Sequence, residues 1–289
     1  MIRYEAQLKA DVSKANSVMK VSKVNLCGPP NIESTDKFPA CRTADNRILV
    51  FRPRNHAMRM QHSAQTVSIP PIPESHFLAC VNTLVASQTQ FVPPHNSNTL
   101  LYIRPILFGS SAQLALTPPT EFTFAIFIQP GSAYHGVAGQ DALVCENFDR
   151  TATHGTGNAK VGGNYAPVMK YTGAAQKEGF GLLLHLDSKT MSEIDEFSTS
   201  GFVGVKNDGG EREGKYTLVI PNSKTVIKSV TTDTIAELAT SWGWRVERRA
   251  VGSLEFIRLL FTVCRFCYSS TNISNHRSRL TNFPSSARS

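Results

Sequence analysis

The sequence predicts an α+β fold in two units, flanked by ends of a different texture. Three observations carry that prediction. Short runs rich in β-branched and aromatic residues recur along the chain and read as strands. Several longer stretches place apolar residues at helical spacing. A turn-rich stretch, PGSAYHG at 130–136, separates two groups of such elements and marks a boundary. The division is a divergent or disordered segment over 1–41, a small α+β unit over 42–129, a linker over 130–145, a larger, incomplete unit over 146–251 and a divergent basic tail over 252–289.

Taken in order, GPPNIESTDKFPA reads as loop or disorder, and ILVF (48–51) as a short buried strand. RNHAMRMQHSAQTV carries Ala57, Met58, Met60 and Ala64 at helical spacing. PPIPESHFLACVNTLVAS opens on prolines, then Glu74 and Ser75, and continues through Phe77, Leu78, Val81, Leu84 and Val85, a second helix with a strong start signal. TLLYIRPILFGS (99–110) and FTFAIFIQP (122–130) are strand-like. In the second unit APVMKYTGAAQKEG predicts a helix with Pro167 near its start and Gly179 at its end. FGLLLHL, FVGVKN, YTLVIP and RVERRAV predict strands, and DSKT a tight turn. SVTTDTIAELATSWGW predicts a helix with Thr231, Thr232 or Asp233 as cap, Ile235, Leu238 and Ala239 on one face, and Gly243 as stop.

Apolar residues make up 41% and charged residues 18%, a balance that supports a globular core. The net charge of +8 invites a nucleic-acid or membrane partner, but residues 252–289 hold half of that excess and no RNA-binding or zinc-finger signature is present. Neither partner is expected. The six cysteines are too sparse for a disulfide framework, and the lone Cys264-Arg-Phe-Cys267 lacks a second pair at metal spacing. The first 25 residues mix both charge signs without an apolar stretch, so no secretory leader is expected. The expected compartment is the cytoplasm; a mitochondrial presequence stays open, though Glu5 and Asp11 oppose it. The Asn272-Ile-Ser274 sequon carries little weight without a secretion signal.

One stretch raises a chemical question: GTGNAKVGGNYAP, 155–167, sets Lys160 among small residues with Tyr165 five positions on. The lysine is a solvated loop charge, a phosphate-loop lysine or a nucleophilic amine. A Walker loop needs Gly before the lysine and Ser or Thr after it, but Ala159 and Val161 stand there. A dinucleotide fingerprint needs a third glycine at set spacing, which is missing. The solvated charge and the amine remain. An attacking amine must be partly unprotonated, and small neighbours admit a planar cofactor. EFSTSGF (196–202) offers a carboxylate, Glu196, and SVTTD (229–233) offers the N–H groups of a helix N-terminus, an anion site. Taken singly, Glu196 reads equally as a surface charge and the Thr-Thr-Asp run as a helix cap.

The ordered combination YIRP, AKVGGNYAP, LHLDSK, EIDEFSTS and SVTTDTI resembles the branched-chain amino acid aminotransferases, above all those of fungal type, over about Arg42 to Val251. These are pyridoxal-phosphate enzymes of fold type IV. The resemblance implies a small α/β N-terminal domain, a larger β-barrel-like C-terminal domain and a homodimer. It implies that Lys160 carries pyridoxal 5′-phosphate as a Schiff base and moves the proton at the substrate carbon. By the same resemblance Glu196 meets the ring nitrogen, with Glu193 fitting the spacing worse. Arg59, in the pattern His56, Arg59, Ser63, meets the cofactor phosphate together with the backbone amides of Val230 and Thr231. Tyr165 sits beside the lysine. Tyr102 and Arg104 shape the substrate pocket and meet its carboxylate, or are a core aromatic and a surface ion pair. The implied reaction is transamination of leucine, isoleucine or valine with 2-oxoglutarate. The same chemistry in a secondary-metabolite or peptide-toxin pathway, and a catalytically impaired relative, are the competing expectations.

Three departures stand against the family pattern. Gly201 replaces the usual Asn. STDKFPAC stands where an aromatic-rich FEG-like segment is expected, so a strand is expected to be absent. After Val251 a Gly-Thr turn that helps bind the phosphate gives way to SLEFIRLLFTVCRF. The fold is therefore expected to be truncated at both ends.

Overall fold

The computed structural model describes residues 33–114, 116–132, 140–209, 215–253 and 255. The expectations for 1–32, and all but the first residues of the 252–289 tail, lie outside them.

The first sheet contains β1 (Glu33–Thr35), β2 (Phe38–Arg42), β3 (Ile48–Val50), β4 (Thr99–Gly109) and β5 (Phe122–Ser132). Its order is β1-β4-β2-β3, with β5 on the other edge of β4. The helices α1 (Pro53–Thr66) and α2 (Glu74–Ser87) bury Ala57, Met60, Ala64, Phe77 and Val81 against Phe38, Leu101, Ile103, Leu107 and Phe124. Side chains alternate across a strand, so Tyr102 and Arg104 on β4 face away from this core, which takes the odd-numbered Leu101, Ile103 and Leu107.

The larger unit has two three-stranded sheets. One is β6 (Ala142–Val144), β7 (Leu182–Leu186) and β8 (Ile194–Phe197) in order, beside α3 (Gly162–Lys177). The other is β9 (Gly204–Asn207), β10 (Tyr216–Pro221) and β11 (Arg245–Arg249), with β10 central and α4 (Val230–Ser241) packed against it. Leu184, Leu186, Ile194, Val219 and Val251 form a core shared by both sheets.

Four expectations are corrected. Residues 33–42 are strands, not loop, and no strand is missing there. Ser34, Asp36, Phe38 and Ala40 are buried in strict alternation, a period-2 pattern hidden by the polar identity of its first two members. Both β1 and β2 pair antiparallel with β4 in one common register, Thr35–Ile106 and Phe38–Ile103. The ladder breaks at Asp36–Lys37 because Asp36 faces Pro105: the Asp36 amide reaches the Pro105 carbonyl at 3.1 Å, but Pro105 has no N–H to return. Helix α3 starts at Gly162 and takes Pro167 inside it, although Gly179, at φ 93°, ends it as expected. Helix α4 is capped by Ser229, whose Oγ accepts from the Thr232 amide, and not by Thr231, Thr232 or Asp233. It buries Ala236 and Ala239, while Leu238 stays 45% exposed. Finally, β5 runs through Ser132, two residues beyond the expected start of the linker, and β6 lies within it.

Candidate active site

Lys160 ends a half-buried turn, two residues before α3. Its backbone is stitched to the first sheet: the Thr35 amide donates to the Lys160 carbonyl at 3.0 Å, and Ser34 bridges Val161 antiparallel. The Lys160 amide donates to Ser63 Oγ at 2.9 Å. Gly157 is required upstream, since a Cβ there would stand 2.7 Å from the Thr225 carbonyl oxygen. The first turn of α3 brings Tyr165 back, and Lys160 Nζ donates to its Oη at 2.8 Å.

Glu196 is buried on β8, opposite His185 of β7, whereas Glu193 is exposed. The guanidinium of buried Arg150 lies 3.3 Å from Glu196 Oε1 and 5.1 Å from the Tyr165 ring. Burial pushes the Glu196 carboxyl up to about 7, against the opposing pull of Arg150 and Lys160. Burial, then Arg150, pushes His185 down to about 4. Oε1 of Glu196 is buried without a hydrogen-bond partner. The Lys160 charge acts on both Glu196 and His56.

Arg59 projects from α1 and is gripped by buried Asp36, which accepts from Nε at 2.9 Å and Nη2 at 2.6 Å. Burial alone would raise the Asp36 carboxyl, but bonds from His56 and Arg59 outweigh it and hold it at about 2. The third guanidinium nitrogen of Arg59, Nη1, donates to the Lys228 carbonyl at 3.3 Å, just before the cap of α4. Val230 and Thr231 supply the first two amides of that helix, which have no carbonyl within the helix to meet. Gly201 also packs here: a Cβ would lie 3.0 Å from Thr232 Oγ1 and 3.2 Å from Ser229 Cβ, so the Asn expected at this position would crowd the cap of α4.

Tyr102 donates from Oη to the Ser132 carbonyl at 3.1 Å, and Lys37 Nζ sits 3.7 Å over its ring. Arg104, two residues along the same face, is exposed. The expected residues thus fall into a linked set. Lys160, Tyr165 and Glu196 gather around Arg150, Arg59 meets the start of α4 at Val230 and Thr231, and Tyr102 with Arg104 joins them through 35–37. Sequence reasoning missed Arg150, which stands in a featureless DRTATHG, and Asp36, which sat in a presumed loop; the period-2 alternation was the signal for Asp36.

The set fits a phosphorylated pyridine aldehyde. Lys160 offers an amine, the partnerless oxygen of Glu196 suits a ring N–H, and Arg59 with the α4 amides suits a phosphate. Two further cavities, of about 150 and 490 Å³, are lined by Thr153, Asp187, Asp195 and Thr225 and by Arg52, Asn55, Asp233 and Arg248. Neither touches Lys160, so they are separate from the site.

Comparisons with known proteins give the family and the fold. The profile of the family described as Amino-transferase class IV matches residues 38–258. An aminotransferase of Gibberella zeae is 53% identical over 212 residues, covering 73% of this chain and 55% of that protein. Aminotransferase atnJ of Emericella nidulans is 53% identical over 219 residues, covering 75% and 63%. The chain therefore spans less than two thirds of either. The branched-chain aminotransferase of Thermoproteus uzoniensis, solved with norvaline, superposes with a TM-score of 0.67 at 19% identity, covering 83% of this chain and 77% of that one. That of Thermobaculum terrenum in its PLP form gives 0.63 at 19% identity, covering 81% and 74%. At such identity the likeness is one of fold, fold type IV. The family depends on pyridoxal phosphate. The chain belongs to the class IV aminotransferases.

Proposed function

We propose that this chain transfers an amino group between an amino acid and a 2-oxo acid in a specialised fungal pathway. The observation that carries the reading is the Lys160 amine, held at 2.8 Å by Tyr165 and acting electrostatically on the buried Glu196 carboxylate, whose Oε1 has no hydrogen-bond partner. When bound, pyridoxal phosphate supplies an aldehyde for the amino group and a ring that spreads the charge left as the substrate carbon loses a proton. Lys160 is the covalent anchor and the base that moves that proton. Tyr165 orients the amine. Glu196 accepts from the ring nitrogen, and Arg150 holds Glu196 in place. Arg59 and the amides of Val230 and Thr231 clamp the phosphate. Tyr102 and Arg104 face the substrate and its carboxylate. The two-unit division, with residues 33–41 joined to the smaller unit, and a homodimer are part of the proposal.

The specialised pathway is placed ahead of branched-chain biosynthesis on one ground. The fungal relatives at about half identity are named aminotransferase without a branched-chain designation, and the branched-chain names come from fold relatives at 19%. The branched-chain reading rests on the motif order and is kept second. Profiling the purified chain against branched, aromatic, acidic and non-standard amino acids separates the two. The chemistry itself is tested by incubating the chain with pyridoxal phosphate, reducing with borohydride and mapping the label by mass spectrometry. The label is expected on Lys160; a label elsewhere, or none, overturns the mechanism.

A further inference from the structure

The carboxylate that suits the ring nitrogen owes its direction to one extra residue. Leu186 of β7 pairs with Ile194 of β8, but the adjacent His185 pairs with Glu196, so Asp195 has no partner across this ladder. That two-against-one count is a β-bulge, a device that re-aims side chains beside it. Alternation gives its effect. Ile194 faces the apolar core with Leu184 and Leu186. An unbroken ladder would set Asp195 opposite His185 and turn Glu196 onto that core, because a slip of one residue moves each side chain to the other face. With the bulge, Glu196 shares the face of His185, and Arg150 reaches it at 3.3 Å. Beyond the bulge the ladder is fastened again. The Ser198 amide donates to the Leu183 carbonyl at 3.0 Å, and Ser198 Oγ lies 2.8 Å from His185 Nε2. The extra residue is itself tied down. Asp195 is buried, and its Oδ2 accepts from Thr151 Oγ1 and, at 3.3 Å, from Thr225 Oγ1. Thr151 follows Arg150 in the chain, and Thr225 lies on the segment that leads to the Lys228 carbonyl, the acceptor for Arg59.

We propose that Asp195 is a positioning residue for the transamination: clamped by Thr151 and Thr225, it holds the bulge that turns Glu196 out of the core and towards the ring nitrogen of the cofactor. The proposal rests on the aminotransferase reading and adds a residue to it. Glu196 has to meet the ring nitrogen from one direction, and a displacement of about 1 Å in a reacting group is enough to cost a large factor in rate. A buried carboxylate is stable only when its oxygens are bonded, so the two threonine hydroxyls are what let an acid occupy the extra position. The Asp195 charge also favours the protonated form of Glu196, second to burial among the causes that do so. A neutral side chain of the same shape gives up that smaller share and keeps the clamp.

The test loads the full chain with pyridoxal phosphate isotope-labelled at its ring nitrogen and reads that nitrogen by magnetic resonance. The unaltered chain is expected to show a protonated ring nitrogen at mildly alkaline pH. Asp195→Ala is expected to move the signal towards the unprotonated position and to lower kcat about tenfold with KM little changed. Asp195→Asn is expected to retain most of both. A residue that only stabilised the fold would lower the melting temperature and leave the signal in place, and that result overturns the proposal. So does an Asp195→Asn signal displaced as far as that of Asp195→Ala. Should Asp195→Ala fail to fold, Thr225→Val, which removes one hydroxyl from the clamp, is expected to move the signal in the same sense by a smaller step; no movement counts against the proposal. Mapping of the borohydride label runs alongside. A label on Lys160 with an unmoved ring signal sinks the positioning role alone. No label and no turnover in any chain sinks the aminotransferase reading, and the cofactor-free chain then decides the role of Asp195. Loss in Asp195→Ala of the decline in stability with rising pH that Glu196 causes supports it, and an unchanged decline overturns it.

Discussion

At the scale of single residues, Glu196 sets a pH dependence that can be read without any assay of turnover. A buried carboxyl at about 7, against an ordinary value of 4.5, contributes fully below pH 4.5, where folded and unfolded chains are both protonated. As pH rises from 4.5 through 7 the unfolded chain ionises first, and the folded state loses roughly 3 kcal/mol. His185, pushed down to about 4, works in the other sense, its share being lost as pH falls from 6.5 towards 4. The clean measurement is therefore a difference: chemical denaturation of the cofactor-free chain and of Glu196→Gln from pH 4.5 to 8. The variant is expected to show a flatter decline; identical slopes would mean that Glu196 titrates normally. Asp36 gives a second prediction. Its carboxylate is 0% exposed and holds two nitrogens of Arg59. Asp36→Ala leaves that arginine unpaired and is expected to cost about 3–5 kcal/mol of stability by denaturant titration. Asp36→Asn, which keeps the shape, is expected to weaken pyridoxal-phosphate binding about tenfold through loss of the charged anchor.

At the scale of elements, the start of α4 is where the structure is most exacting. Ser229 caps the helix, and Ser229→Ala is expected to lower stability by about 1 kcal/mol and to loosen the phosphate end of the site, seen as weaker cofactor retention on gel filtration. Gly201→Asn is the sharper test. A side chain there presses on Ser229 and Thr232, so the substitution that restores the usual residue of the resembled family is expected to lower the melting temperature and cofactor affinity together. Unchanged values would show that the cap has room to yield. The elements also show what was legible in advance. Helices with prolines before them and repeating apolar faces, such as Glu74–Ser87, and long β-branched strands, such as Thr99–Gly109, announce themselves because local pattern and burial agree. Lys160, Tyr165, Glu196 and Arg59 were legible because they sit in long motifs. Asp36 and Arg150 were not: their importance comes from partners 23 and 46 positions away, a tertiary fact that no local period encodes. The strands at 33–42 were hidden because inward positions 34 and 36 are polar, satisfied by Met60 and Arg59 rather than by an apolar core.

At the scale of the whole molecule, the site lies on a seam. Lys160 is bonded to the edge of the first sheet, Glu196 comes from the second, and Val230 and Thr231 come from the helix on the third. A ligand bridging all three stabilises the assembled chain rather than one unit. Pyridoxal phosphate at about a hundred times its Kd is expected to add about 2.7 kcal/mol to unfolding, as one cooperative transition in calorimetry; stabilisation of only part of a split transition would show that the units are uncoupled. The exposed pair of Arg52 with Glu237 also joins α1 to α4. Ion pairs in solvent contribute little, so Glu237→Gln is expected to leave the melting temperature where it is.

One imino acid on the central strand shapes much of this. Because Pro105 returns no bond to Asp36, the ladder is interrupted at Asp36 and Lys37, and those two bear opposite charges on opposite sides of the sheet. The acid goes inward to hold a guanidinium, and the base goes outward over the ring of Tyr102. Swapping that ring for valine would let the two short strands knit into one, trading a sorted pair of charges for an uninterrupted ribbon.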